Sequence, residues 1–128
     1  MPLADVAIAW DGLKMIDFEQ VWLPQIVSYA RLIDTGQLED EWLGRSRQAT
    51  SVTDPDELHE QVFDDLDADT IWHEVRRTRS VSTQLAHAID CFLNALRKIG
   101  GNEPSTVVAS NAWIEVREAA NGVLAAVR

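Results

Sequence analysis

The sequence predicts an all-α protein, an antiparallel bundle of about five helices in one domain over residues 1–128. Apolar residues recur at helical spacing along most of the chain, and the stretches between them are short and rich in cap and turn residues. The 46% hydrophobic and 25% charged residues are typical of a globular chain. A chain of 128 residues can bury one continuous core without disulfide or metal cross-links.

The start of the chain allows two interpretations. Asp11 and Gly12 lie between two apolar stretches, a pattern typical of the turn in a two-residue β-hairpin. The alternative for residues 5–16 is a short helix or an irregular segment.

The first clear helix is predicted over residues 18–35. Asp17 followed by Gln20 resembles a capping box, and Gly36 is a typical helix end. Pro24 lies inside this span and has no backbone N–H, so we expect a kink or a helix start at that residue.

A short amphipathic helix over 37–45 and a loop over 46–53 are predicted to follow. Asp54 then begins the next helix, because it is a cap residue that precedes Pro55 and stands three residues before Glu57. The apolar stripe of this helix consists of Leu58, Val62, Phe63 and Leu66.

The second half of the chain contains three further predicted helices. A short one reaches about residue 78, and a long one ends at Gly100 and Gly101. The last spans 105–126 or starts after Ser110. The stripe of the long helix is the most regular: Val81, Leu85, Ala88, Ile89, Phe92, Leu96 and Ile99.

An acidic block between Asp54 and Asp69 is the most unusual feature of the sequence. It has eight carboxylates in sixteen residues and no Lys or Arg: Asp54, Asp56, Glu57, Glu60, Asp64, Asp65, Asp67 and Asp69. The first three lie at a helix N-terminus, where negative charge is favourable. The last four are expected near the C-terminal end of that helix, where negative charge is unfavourable, so they are the stronger candidates for binding. The alternative is a solvated face that only aids solubility.

The overall charge argues against nucleic acid as a partner. The formal net charge is −10, and the one basic cluster, Arg76, Arg77 and Arg79, has Glu74 beside it. We therefore expect these arginines to be neutralised by neighbouring carboxylates. Cys91 is the only cysteine, which favours a reducing compartment, the cytoplasm. No apolar run is long enough to span a membrane, so no membrane partner is predicted.

No catalytic or metal-binding motif is complete, and the sequence predicts neither an enzyme nor a cofactor. An EF-hand loop starting at Asp65 would need Gly and Glu where Thr70 and Arg76 stand. His59-Glu60 and His73-Glu74 each lack the second His of a zinc-protease helix. His87 and Cys91 lie one helical turn apart, but two ligands do not make a structural zinc site.

Tryptophan occurs once in nearly every predicted segment, at Trp10, Trp22, Trp42, Trp72 and Trp113. Such spacing is typical of core anchors. Trp42 and Trp72 flank acidic sequence, however, and aromatic side chains among carboxylates are typical anchors for a basic partner. We predict that these two are exposed and that they bind the partner together with Glu60, Asp64, Asp65, Asp67 and Asp69.

The segment from Thr53 to Asp69, TDPDELHEQVFDDLDAD, resembles the acidic surfaces of small bacterial toxin-immunity proteins. The chain shares their size, acidity and helical character. This resemblance implies an inhibitor that binds a basic protein partner, a toxin domain such as a nuclease, with carboxylates in place of phosphates. The alternative is a helical scaffold or regulatory subunit that acts through apolar helix faces.

Overall fold

The computed structural model describes residues 17–46 and 49–128, and this part of the chain is helical and contains no strand. The all-α prediction is therefore confirmed. The proposed hairpin at Asp11 and Gly12, like Trp10, lies outside the described residues. We number the helices α1 (Leu23–Asp34), α2 (Gln37–Trp42), α3 (Pro55–Glu60), α4 (Ala68–Thr78), α5 (Thr83–Arg97), α6 (Pro104–Val108) and α7 (Asn111–Ala126).

A π-helical segment, Phe18–Trp22, leads directly into α1. The Asp17 side chain caps it by accepting a hydrogen bond from the Gln20 amide at 2.9 Å. Pro24 has no N–H to donate to the preceding turn. The turn before it is wider than an α-helical turn, and in it the Leu23 amide donates a hydrogen bond to the Phe18 carbonyl, five residues earlier. The predicted helix is thus continuous over 18–34 and adapts to proline by widening.

The predicted cap of α3 is present. The Asp54 carboxylate accepts a hydrogen bond from the Glu57 amide at 2.7 Å, and Pro55 occupies the first helical position. A second π-helical segment, Gln61–Asp65, continues α3. The chain then turns at Asp67, a non-glycine residue with φ of 51°, into α4.

Helix α7 packs against both α1 and α5. Lys98, at the end of α5, contacts Glu115 near the start of α7, so these two helices are antiparallel, as predicted. Ser110 caps α7 by accepting from the Trp113 amide, and it separates α7 from α6. The last helical span therefore breaks at Ser110, the second of its two predicted starts.

One continuous cluster of buried apolar side chains connects the helices. Its largest fully buried members are Trp22, Trp113 and Phe92. In the part of the chain that the structure describes, no helix combines the length and the apolar character needed to cross a membrane.

Candidate partner-binding surface

The first three carboxylates of the acidic block stabilise the fold. Asp54 caps α3, Asp56 accepts a hydrogen bond from the Gly101 amide, and Glu57 accepts one from Gln61 Nε2 at 3.0 Å. The contact between Asp56 and Gly101 connects the start of α3 to the turn after α5. These acids therefore have structural roles, as their position at a helix N-terminus suggests.

The other five carboxylates lie between the end of α3 and the first turn of α4, and we call them the acidic corner: Glu60, Asp64, Asp65, Asp67 and Asp69. Four of them are exposed, and Asp67 is half-buried. Glu60 and Asp64 make no ion pair with another described residue. No basic side chain of the described residues therefore neutralises these two carboxylates.

Two of the acids have a different helical position from the one predicted. Asp67 and Asp69 were expected at the C-terminal end of the helix that starts at Asp54. Instead Asp67 stands immediately before α4, and Asp69 lies in its first turn. Negative charge is favourable at that position. The expected dipole penalty thus does not apply to Asp69, which also pairs with Arg97 of α5.

Asp65 lies on the side of the corner that faces Tyr29. The Tyr29 hydroxyl donates a hydrogen bond to Gln61 Oε1 at 3.0 Å. Burial raises the pKa of Tyr29 above its ordinary value, and the negative charges of Asp65 and Glu57 raise it further. Asp65 is exposed, and its charge nevertheless affects the titration of a buried residue, Tyr29.

Each arginine of the basic cluster beside the corner pairs with a carboxylate, but only Arg77 pairs with a neighbour in the sequence, as predicted. Arg76 Nη1 lies 2.5 Å from an Asp90 oxygen, Arg77 pairs with Glu74, and Arg79 Nη1 lies 3.0 Å from a Glu19 oxygen. Each arginine of the cluster already has a carboxylate partner.

The prediction that Trp72 is exposed is wrong. Trp72 is only 6% exposed, and its ring stacks on Trp22 at a centroid distance of 5.8 Å. Its indole N–H donates to Asp90 at 2.7 Å. Burial inside this aromatic cluster leaves Trp72 no broad face for a partner.

Trp42 is half-buried and is not an exposed anchor either. It packs on Trp113 at a centroid distance of 5.1 Å, and its indole N–H donates to the Val52 carbonyl at 3.0 Å. Trp42 therefore holds the loop before α3 against the core.

An aromatic residue that sequence reasoning had assigned to the apolar stripe lies at the corner instead. Phe63 is only partly buried, and the Arg97 guanidinium stands over its ring, 5.4 Å from the centroid. The His59 ring packs against Phe63 at a tilt, with a centroid distance of 4.6 Å. The adjacency of Phe63 to Asp64 in the sequence was the available signal, but it does not distinguish a half-exposed ring from a buried one.

His87 and Cys91 lie one turn apart on α5, with Nε2 and Sγ separated by 3.5 Å. Across residues 17–46 and 49–128, no three His, Cys, Asp or Glu side chains are arranged to hold a metal ion. The pair lines an open groove of about 610 Å³ between α5 and α7. The α7 side of this groove carries small residues, including Ala119 and Gly122.

The comparisons with known proteins do not identify a family: no family model matches the chain, and no curated protein and no solved structure is significantly similar to it.

Proposed function

We propose that this protein is an acidic protein-binding inhibitor, of the kind that protects a bacterial cell by neutralising a basic toxin in a stoichiometric complex. It has no catalytic activity of its own in this proposal and acts in the cytoplasm. The acidic corner is placed on a cationic surface of the partner, such as a nuclease active site, where its carboxylates replace phosphates.

The observation that supports this function best is the division of the acidic block. Asp54, Asp56 and Glu57 are used by the fold, whereas Glu60 and Asp64 are exposed and make no ion pair within the described chain. Clustered charge of one sign destabilises the folded chain by self-repulsion unless something compensates for it. A cationic partner supplies that compensation and gains a higher association rate.

A charge-matched pair of variants tests this function. Glu60→Gln combined with Asp64→Asn removes two charges from the corner. The control, Glu103→Gln combined with Glu118→Gln, removes one charge before α6 and one from α7. These two acids are also exposed and make no ion pair with a described residue. Each variant and the original protein would be used as bait in lysate of the source cell, and retained proteins would be identified by mass spectrometry.

We expect one basic protein in stoichiometric amount, released at high salt. With the purified partner, the corner variant should bind about tenfold more weakly than the original, and the control variant should bind nearly as well. Circular dichroism should show equal helix content in all three. Equal binding by the corner variant and the original protein would exclude the acidic corner as the inhibitory surface.

The groove between α5 and α7 favours a second candidate, a scaffold or regulatory subunit that binds through apolar helix faces. Apart from its chain neighbours and its own helix backbone, no atom of the described residues lies within 4 Å of a Cβ added at Gly122, so the groove is open there. Salt separates the two candidates, because charge-steered association slows as ionic strength rises and an apolar interface responds little. A salt-resistant complex that is weakened by Gly122→Leu, a substitution that fills the groove, would support the scaffold.

A further inference from the structure

Arg97, at the end of α5, contacts two residues of the segment that forms the acidic corner. Its guanidinium donates to Asp69 and to Asn94, and it stands over the face of Phe63 at 5.4 Å from the ring centroid. The Arg97 side chain remains 43% exposed and that of Asp69 55% exposed. The contact is therefore a surface one that a competing cation can reach.

The ring that receives Arg97 also contacts a second ring. His59 packs against Phe63 in a tilted arrangement, with a centroid distance of 4.6 Å. The His59 ring in turn lies so close to Gly100 that a Cβ there would stand 3.2 Å from His59 Cδ2. The combination of an aromatic face and a carboxylate suits a planar guanidinium better than an ammonium, because only the guanidinium can stack and hydrogen-bond at once.

The charges around this position favour a second cation. Glu60 and Asp64 lie within one turn of Phe63 in the sequence and make no ion pair with a described residue, so the segment that carries the ring also carries two uncompensated negative charges. An exposed ion pair contributes only about 1 kcal/mol or less to stability, so another cation can displace Arg97 from Asp69.

From these contacts we propose that Phe63 and Asp69 form an arginine-binding position, which Arg97 fills in the free protein and which an arginine of the partner takes in the complex. This inference rests on the proposed function and specifies the partner's chemistry: an arginine-bearing basic surface rather than a lysine-rich one. Arg97 is then an internal competitor that weakens binding to non-cognate basic surfaces.

The test measures binding of fluorescein-labelled oligoarginine and oligolysine peptides of equal length by anisotropy at low salt. Arg97→Gln removes the competitor. Arg117→Gln is the matched control, because Arg117 is also a half-exposed arginine paired with a carboxylate, Glu39, and its loss changes the net charge equally. Phe63→Leu in the Arg97→Gln background removes the aromatic face with little change in volume.

We expect Arg97→Gln to bind oligoarginine about two- to fivefold more tightly than Arg117→Gln, which is the range expected for loss of one exposed ion pair. The preference for oligoarginine over oligolysine should disappear with Phe63→Leu. Equal affinities for Arg97→Gln and Arg117→Gln would overturn the inference, as would a preference for arginine that survives Phe63→Leu. The proposed function is judged separately, by the natural partner's response to loss of Glu60 and Asp64.

Discussion

At the scale of single residues, Tyr29 reports on the electrostatics of the acidic corner. It is the only tyrosine in the chain, so the absorbance of its phenolate can be followed without interference from another tyrosine. Burial and the charges of Asp65 and Glu57 raise the pKa of Tyr29 above its ordinary value of 10.0. A raised pKa means that the folded state holds the proton more tightly than the unfolded state does. The resulting contribution to stability is present below pH 10 and is lost as pH rises through the raised pKa of the folded state.

We expect the phenolate of the folded protein to form above pH 10 and its midpoint to return to about 10 in urea. Asp65→Asn should lower the midpoint of the folded protein, because it removes a negative charge that opposes the phenolate. Asp64→Asn removes the same charge from the neighbouring exposed position and is the control. Ultraviolet difference titration gives all the midpoints. Equal shifts in the two variants would mean that Asp65 acts on Tyr29 only through the net charge.

Helix caps could be predicted from the sequence because their partners are nearby in the chain. The cap at Asp54 depends on an amide three residues away, so composition and spacing suffice to predict it. The burial of Trp72 depends on Trp22, which lies fifty positions earlier, and its hydrogen bond depends on Asp90 of another helix. A pattern of neighbouring acids contains no information about those contacts, and this is why the exposed-anchor prediction failed.

At the scale of helices, Gly122 lowers the stability of α7 although the surrounding residues leave space for a larger side chain. It lies inside α7, where glycine is about 0.5 to 1 kcal/mol less favourable than alanine. A Cβ at this position would meet nothing within 4 Å. Gly122→Ala should therefore raise the free energy of unfolding by about 0.5 to 1 kcal/mol, measured as a higher urea midpoint with an unchanged slope.

Gly36→Ala is the opposite case and serves as the control. Gly36 has a φ of 81° between α1 and α2, a conformation that costs an alanine about 1 kcal/mol. The midpoint should therefore fall for Gly36→Ala and rise for Gly122→Ala. A fall in both variants would show that close packing, rather than helix propensity, determines the residue at Gly122.

Helix limits were predictable where a cap or a glycine marks them, and less so where the backbone changes its hydrogen-bond pattern. Gly36 and Ser110 both mark real ends. The turn at Asp67 has no such sequence signal, because a left-handed aspartate looks like any other acid in a run of acids. The acidic corner depends on this turn, so its geometry could not be derived from the spacing of the carboxylates.

At the scale of the whole molecule, a few polar contacts connect the first helices to the last. Glu39 of α2 accepts a hydrogen bond from Trp113 Nε1 of α7 at 2.9 Å, and Arg45 and Arg117 lie 3.5 Å and 3.7 Å from its carboxylate. Trp113 is only 1% exposed, so water does not readily replace this acceptor. Asp34 and Asn121 make a second, exposed contact between α1 and α7.

Loss of the Glu39 carboxylate should therefore destabilise the entire fold. Glu39→Ala leaves the Trp113 indole N–H buried without an acceptor, which costs about 1 to 3 kcal/mol. Glu39→Gln should cost less, because its amide oxygen can still accept that hydrogen bond. Asp40→Asn, which removes the neighbouring exposed pair with Arg45, should change the free energy of unfolding by less than about 1 kcal/mol. Urea unfolding followed by tryptophan fluorescence measures all three; equal losses in Glu39→Ala and Asp40→Asn would mean that the indole finds another acceptor and that apolar packing alone joins α2 to α7.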